Sequence, residues 1–360
     1  MDLSKKNQEQ TAGDNSIQNQ IEGQGNMTIT QVNNNYGVTA SDVVSIATTV
    51  YNQLIPQTVN EYSEIATATV NDRLNAFGRE LFPRIDGIEG AIEAFRDPKF
   101  QFMLRDAQMT AAKTDRTDDM NLLSELLACH ITKGDDRKID AGIHHAIKIV
   151  DEIDNDALCA LTVACAFQFY RPTANAFSAG LDVLDDLFKN LIYLKLPSGM
   201  NWLDHLDMLG AVRLSPLHLK KVTEYLCSQY NGYVCVGIKK DSEEMEKANI
   251  ILDENNISRS VLVDNECIDG YVRLGISSFD DVKPDYVDAI NSIRNLYSVD
   301  KAAINLVKEK FMEIWDSHKY LRIVRNWWSQ IPNAFSVSYI GRVLAQTNAK
   351  RIDPNLPDLI

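Results

Sequence analysis

Apolar positions alternate at the start of the chain and recur at helical spacing from Thr39 onward. Val43, Ile46, Ala47, Val50 and Leu54 share one helical face, opened by the capping run Thr39-Ala40-Ser41-Asp42 and closed by Pro56. A second stripe, Tyr62, Ala66, Val70, Leu74, Phe77 and Leu81, predicts a helix over about 58–81. Asp97-Pro98 opens the main helical region, where Phe100, Met103, Leu104, Ala107 and Ala111 form the buried face. Helices are expected near 118–132, 136–152, 155–170, 173–193, 201–212 and 215–230. The breaks between them, such as Gly134-Asp135-Asp136 and Arg171-Pro172-Thr173, are short, as in antiparallel helical packing. The pattern then changes. Strands are expected at 232–238, 260–263 and 271–276 around a charged helix at 242–255, then helices at 284–297, 299–330 and 335–348.

The opening stretch, Gly13 to Gly37, has a different beat. Gly13-Asp14-Asn15-Ser16-Ile17 returns twelve residues later as Gly25-Asn26-Met27-Thr28-Ile29, and Val32 to Gly37 forms a degraded third copy. Twelve residues suits one rung of a β-solenoid or one arm of a hairpin, not a helical repeat. Two or three such strands are marginal in water, and their open edges invite pairing with another chain. The expectation is that Ile17, Ile21, Met27, Ile29 and Val32 assemble copies of the protein into a shared β structure. The competing reading is a disordered polar tail.

The expected fold is therefore mainly α: a multi-helix body with a small α/β insertion and a short N-terminal β-repeat, β-solenoid-like or intersubunit. The expected divisions are a flexible tail 1–12, the oligomerisation segment 13–38 and a helical connector 39–95. A helical domain 96–200, helices plus the α/β insertion 201–280, C-terminal helices 281–350 and an extended tail 351–360 complete it.

A net charge of −14 argues against general nucleic-acid binding and against docking on anionic membranes. Polar residues follow Lys6 where a signal peptide would be apolar, and no apolar run reaches membrane-spanning length, so a cytoplasmic protein is expected. The six cysteines show no zinc-like spacing and sit mostly among apolar neighbours, as core residues. Neither a P-loop nor a Rossmann, zincin or nucleophile-elbow motif occurs, and no cofactor or metal is indicated. Ser298-Val299-Asp300-Lys301 matches S-x-x-K but reads as a helix cap. His144 and His145 would face different sides of a helix, His130 suits a helix C-terminus, and Asp204, His205 and Asp207 read as surface. The acidic runs Asp115 to Asp119 and Asp151 to Asp156 read as solvated turns and caps. One patch opposes the global charge: Lys319, Arg322 and Arg325 beside Trp327 and Trp328, a candidate partner-binding set, the competing reading being a solvated face over core tryptophans. A winged-helix reader with Lys220 and Lys221 on its second helix is disfavoured by the acidic charge and the interrupted strands.

The order of parts resembles an uncharacterised bacterial family that pairs a Gly/Asn-rich β-repeat with a helical body. Gly13–Gly37, Phe100 to Asp140 with Leu122-Leu123-Ser124-Glu125-Leu126-Leu127-Ala128, Leu206 to Ile238, and the final Tyr339-Ile340-Gly341-Arg342 helix carry that resemblance. It implies a bacterial antiviral-defence setting and no catalytic mechanism. The leading expectation is a non-enzymatic, homo-oligomeric scaffold or sensor that binds a protein partner. The alternatives are an effector enzyme with a dispersed active site, such as a metal-dependent nuclease, and a nucleic-acid-binding regulator using the Lys319–Trp328 patch.

Overall fold

Asp97 accepts a hydrogen bond from Lys99 N, Pro98 follows it, and the resulting helix buries Phe100, Met103, Leu104 and Ala107 as its spacing dictates. The same logic builds most of the molecule. The computed structural model describes residues 64–133, 136–215 and 221–359. All described residues lie in one compact unit. The strand residues Ile17, Ile21, Met27, Ile29 and Val32, and the helix expected before Pro56, lie outside the described residues.

In order, the helices are α1 (Glu64–Ile85), α2 (Ala91–Ala94), α3 (Pro98–Lys113), α4 (Thr117–Lys133), α5 (Arg137–Ile149), α6 (Asn155–Phe169), α7 (Phe177–Leu191) and α8 (Asn201–Met208). Strand β1 (Val212–Leu214), α9 (Val222–Gln229), β2 (Ile238–Lys239), α10 (Glu243–Glu254), β3 (Leu262–Asp264) and β4 (Tyr271–Leu274) follow. The chain continues through α11 (Val287–Arg294), α12 (Lys301–Ser317), α13 (Lys319–Ser329), β5 (Phe335–Val337) and α14 (Tyr339–Ile352). The protein is mainly helical, with two small sheets among the described residues.

α14 is the centre of the helical body. It packs against α4, α5 and α6, and Val343 through Ala349 are all buried. The amide nitrogen of its buried Asn348 is matched inside the core, donating to Thr162 Oγ1 at 2.9 Å and to Tyr193 OH at 3.1 Å. The segment after α14 straps back over the body rather than extending away from it. Tyr170 OH donates to Pro357 O, Lys133 pairs with Asp358 at 2.7 Å, and Gln346 Nε2 donates to Asp358 at 3.1 Å.

The insertion is a three-stranded antiparallel sheet of order β2-β4-β3, with Val263 opposite Arg273. Ile238, Val272 and Leu274 of the sheet pack on Ala248 and Leu252 of α10 and on Ile290 and Ile293 of α11. It docks on the body by polar ties. Glu266 caps α7, accepting from Phe177 N and Ser178 N at 2.9 and 3.0 Å. The buried Arg273 donates to Asn175 O and lies 4.9 Å from the Tyr233 ring.

Three elements differ from the sequence pattern for tertiary reasons. The helix expected over 299–330 is broken at His318, whose φ of −80° and ψ of 129° are extended. Asp185 of α7 accepts from Tyr320 N and Leu321 N, so a carboxylate from another helix caps α13 and starts it afresh. Val212–Leu214 and Phe335–Val337, expected within or beside helices, pair antiparallel, with Arg213 opposite Ser336. The strand expected over 232–238 is mostly turn, and pairs with β4 only from Ile238 onward.

Candidate partner-binding surfaces

α13 separates the patch that the sequence groups together. Trp327 and Trp328 are 7% and 3% exposed and face the core. Trp327 lies 5.5 Å from Trp202 and its Nε1 donates to Pro197 O, while Trp328 lies 4.7 Å from Phe167. Lys319 and Arg322 are exposed on the other side of the helix. Arg325 pairs with Asp316 at 2.6 Å, Arg322 donates to Asp316 O at 3.2 Å, and Lys319 Nζ lies 4.9 Å from the Tyr320 ring. Lys319 and Arg322 face solvent, Arg325 is held by Asp316, and the tryptophans are covered. Stacking of bases on indole faces is thus foreclosed in this conformation.

The histidines act as staples between elements. His144 Nε2 meets Asp106 at 2.9 Å, His318 meets Asp182 at 3.1 Å, and the buried His130 lies 3.3 Å from Asp140. Ser298 accepts from Asp300 N, and Asp300, not Ser298, caps α12. The two acidic runs converge on Arg116, which reaches Asp119 at 2.8 Å, Ile153 O at 2.8 Å and Val150 O at 3.1 Å. Burial lifts the Asp119 carboxyl above its usual range, against the pull of Thr114 and Arg116. Among the described residues, no group of three or more His, Cys, Asp or Glu is placed to hold a metal ion. Burial pushes the Cys165 and Cys235 thiols up to about 12 and Cys267 up to about 11, which keeps them protonated at neutral pH.

Between α1 and the start of α4 lies a cleft of about 350 Å³, lined by Asp72, Arg73, Arg79, Glu80, Asp115 and Thr117. Arg73 is committed to the end of α3, donating to Ala112 O and Lys113 O at 3.0 Å each. Charges of both signs line the cleft, unlike the mostly apolar pockets that hold small molecules.

The outward face of α3 and α5 was not singled out from the sequence, although the signal was present: Phe102 and Met109 fall off the buried stripe of α3. Asp106 organises this face, meeting His144 at 2.9 Å, Arg105 at 3.2 Å and Lys148 at 3.6 Å. Burial raises the Asp106 carboxyl, but the His144 and Arg105 bonds outweigh it, so its folded value lies below the ordinary one. The stability it contributes is therefore present above the unfolded value near 3.8 and is lost as pH falls through the folded value. Asp106→Asn is expected to cost about 1–2 kcal/mol at pH 7. That gap should narrow in urea melts as the pH is lowered from 3.8 through the folded value, and a gap that stays constant over that range would rule out the charge as its cause.

No curated protein and no solved structure matches the chain. A family model whose description reads ":-like" matches residues 37–359, and so takes in every described element. The chain belongs to that family.

Proposed function

We propose that the protein is a non-enzymatic, homo-oligomeric scaffold or sensor. Segment 13–37 gathers copies through shared strands, and the helical body presents its surfaces to a protein partner. The setting that the sequence resemblance implies is bacterial antiviral defence.

The observation that carries this reading is how α1 is held. Its C-terminal half is built into the body: Phe77, Leu81 and Ile85 are buried, and Arg84 donates to Glu125 at 3.1 Å and Asn121 at 3.0 Å. Its N-terminal half carries the same stripe onward through Leu74 and Val70, which are only partly covered. A 22-residue helix, about 33 Å long and tied to the body by Arg84 and by Arg73 on the end of α3, suits a stiff connection between an assembly segment and a body. Burial-protonated thiols and histidines used as staples fit a binding role rather than chemistry.

The test is the mass in solution of the full-length protein against a form beginning at Ser41. A discrete oligomer only for the full-length protein is the expected result. Monomers in both cases would overturn the assembly role of residues 13–37.

A further inference from the structure

Two faces of the body carry opposite charge around exposed apolar side chains. On α3, Phe102 and Met109 are 59% and 49% exposed and lie two turns apart, about 10 Å along one line. Arg105 sits between them, its guanidinium 5.1 Å from the Phe102 ring centroid. Lys113 extends the line and pairs with Asp151 at 3.4 Å, while Lys148 of α5 pairs with Asp106 at 3.6 Å. These pairs are layered. The carboxylate side chains are 15% and 12% exposed, whereas Arg105, Lys113 and Lys148 are 33%, 57% and 50% exposed. The acids lie beneath and the cations outside, so the surface that a neighbour meets is positive. Large apolar side chains ringed by such charge mark an association surface rather than ordinary solvent-facing helix.

α10 is the complement. Ala248 and Leu252 anchor it in the insertion core, which fixes Ile250 outward at 56% exposure. Glu246 and Glu254 lie one turn to either side of Ile250, both exposed, and Glu243 continues the line. Asp253 is already engaged by Arg259 at 3.1 Å, and Lys247 is the one cation within the helix. What α10 presents is a single apolar knob flanked by free carboxylates.

We propose that the α3–α5 face of one copy receives α10 of a second copy. Ile250 seats between Phe102 and Met109, and Glu246 and Glu254 meet Arg105, Lys113 and Lys148. The two surfaces are different patches of one chain, so the contact is heterologous and repeats head to tail into a ring or a filament. Its charges are rim charges, individually weak and screened by salt. The contact therefore fills when copies are concentrated, as they would be by a separate N-terminal assembly. It involves no residue before Glu64 and goes beyond the scaffold reading.

Sedimentation velocity on the full-length protein, over a range of concentrations at low and high salt, tests this. Lys113→Glu/Lys148→Glu and Glu246→Lys/Glu254→Lys are each expected to weaken concentration-dependent self-association by about tenfold. Mixing the two variants should restore association between them, because the reversed faces again match. Phe102→Ser and Ile250→Ser, both at exposed sites, should weaken it without a loss of helical signal. Association indifferent to salt and to both reversals would overturn the proposal. Sensitivity to the α3–α5 reversal alone would overturn it too, since α10 would then not be the occupant. Deleting residues 13–37 separates the two assemblies: loss of a fixed, salt-insensitive mass concerns that segment, and loss of the salt-sensitive step concerns this contact.

Discussion

Gly341→Ala is expected to lower stability by about 3 kcal/mol, the upper end of what overpacking costs. A Cβ at Gly341 would lie 2.0 Å from Ala211 O and 3.0 Å from Val337 Cγ1. The carbonyl cannot simply retreat, because it accepts from Ser338 N at 3.0 Å, and Ser338 Oγ donates to Gly210 O at 2.6 Å. These bonds tie the first turn of α14 to the β1–β5 ribbon. The extra methyl must therefore push apart two elements that the capping serine holds together. In calorimetry the midpoint should fall by roughly 4–5 °C for a body of this size. Gly87→Ala is the control: its added Cβ meets nothing within 4 Å, so its midpoint should stay close to that of the parent. Equal midpoints for the two variants would mean that the ribbon yields freely and is not a fixed part of the fold.

The second large effect is at Trp315, which is 0% exposed. Its ring lies 5.6 Å from Tyr230, 5.8 Å from Phe311 and 6.4 Å from Phe167, so it joins α12 to α6 and to the turn after α9. Its Nε1 donates to Leu321 O at 3.0 Å across the break at His318. Trp315→Ala is expected to cost about 3–5 kcal/mol through lost burial and the cavity left behind. Trp315→Phe keeps most of the volume and leaves the Leu321 carbonyl without its donor, at about 1–2 kcal/mol. Denaturant titrations resolve the order. If both variants lost the same amount, the indole hydrogen bond rather than the volume would be what matters.

These two sites also show where reading the chain succeeds and where it stops. The stripe of α3 follows directly from spacing, and α3 begins where Asp97-Pro98 says it should. The break between α12 and α13 has no local signal, because Lys-Tyr-Leu-Arg is good helical sequence. The interruption comes from Asp185, on a helix coded more than a hundred residues earlier. β1 and β5 are three residues each, too short to show alternation, and they exist because they find each other. The tryptophan-rich patch shows the limit of sequence adjacency for a related reason. Basic and aromatic residues that are adjacent in sequence part to opposite sides of α13, and spacing alone does not say which side the body takes. The α3–α5 face was legible in principle, since Phe102 and Met109 sit off the buried stripe. Its meaning depends on Asp106 and Asp151 lying under the cations, which only three dimensions reveal.

The central position of α14 has a consequence for how the protein is made. Asn348 bonds Thr162 across 186 positions of sequence, and the slot that α14 fills is walled by α4, α5 and α6. During synthesis those helices leave the ribosome with an open apolar trough between them, and the helix that closes it emerges only after the whole stretch from α7 to β5 has been made. Until then the nascent chain exposes surface as apolar as its eventual core, and cannot commit to its native packing. Translation speed and chaperone supply over the stretch from Phe169 to Tyr339 would then govern yield in the cell. A ribosome stalled before Val343 would release a chain with a hole through its middle.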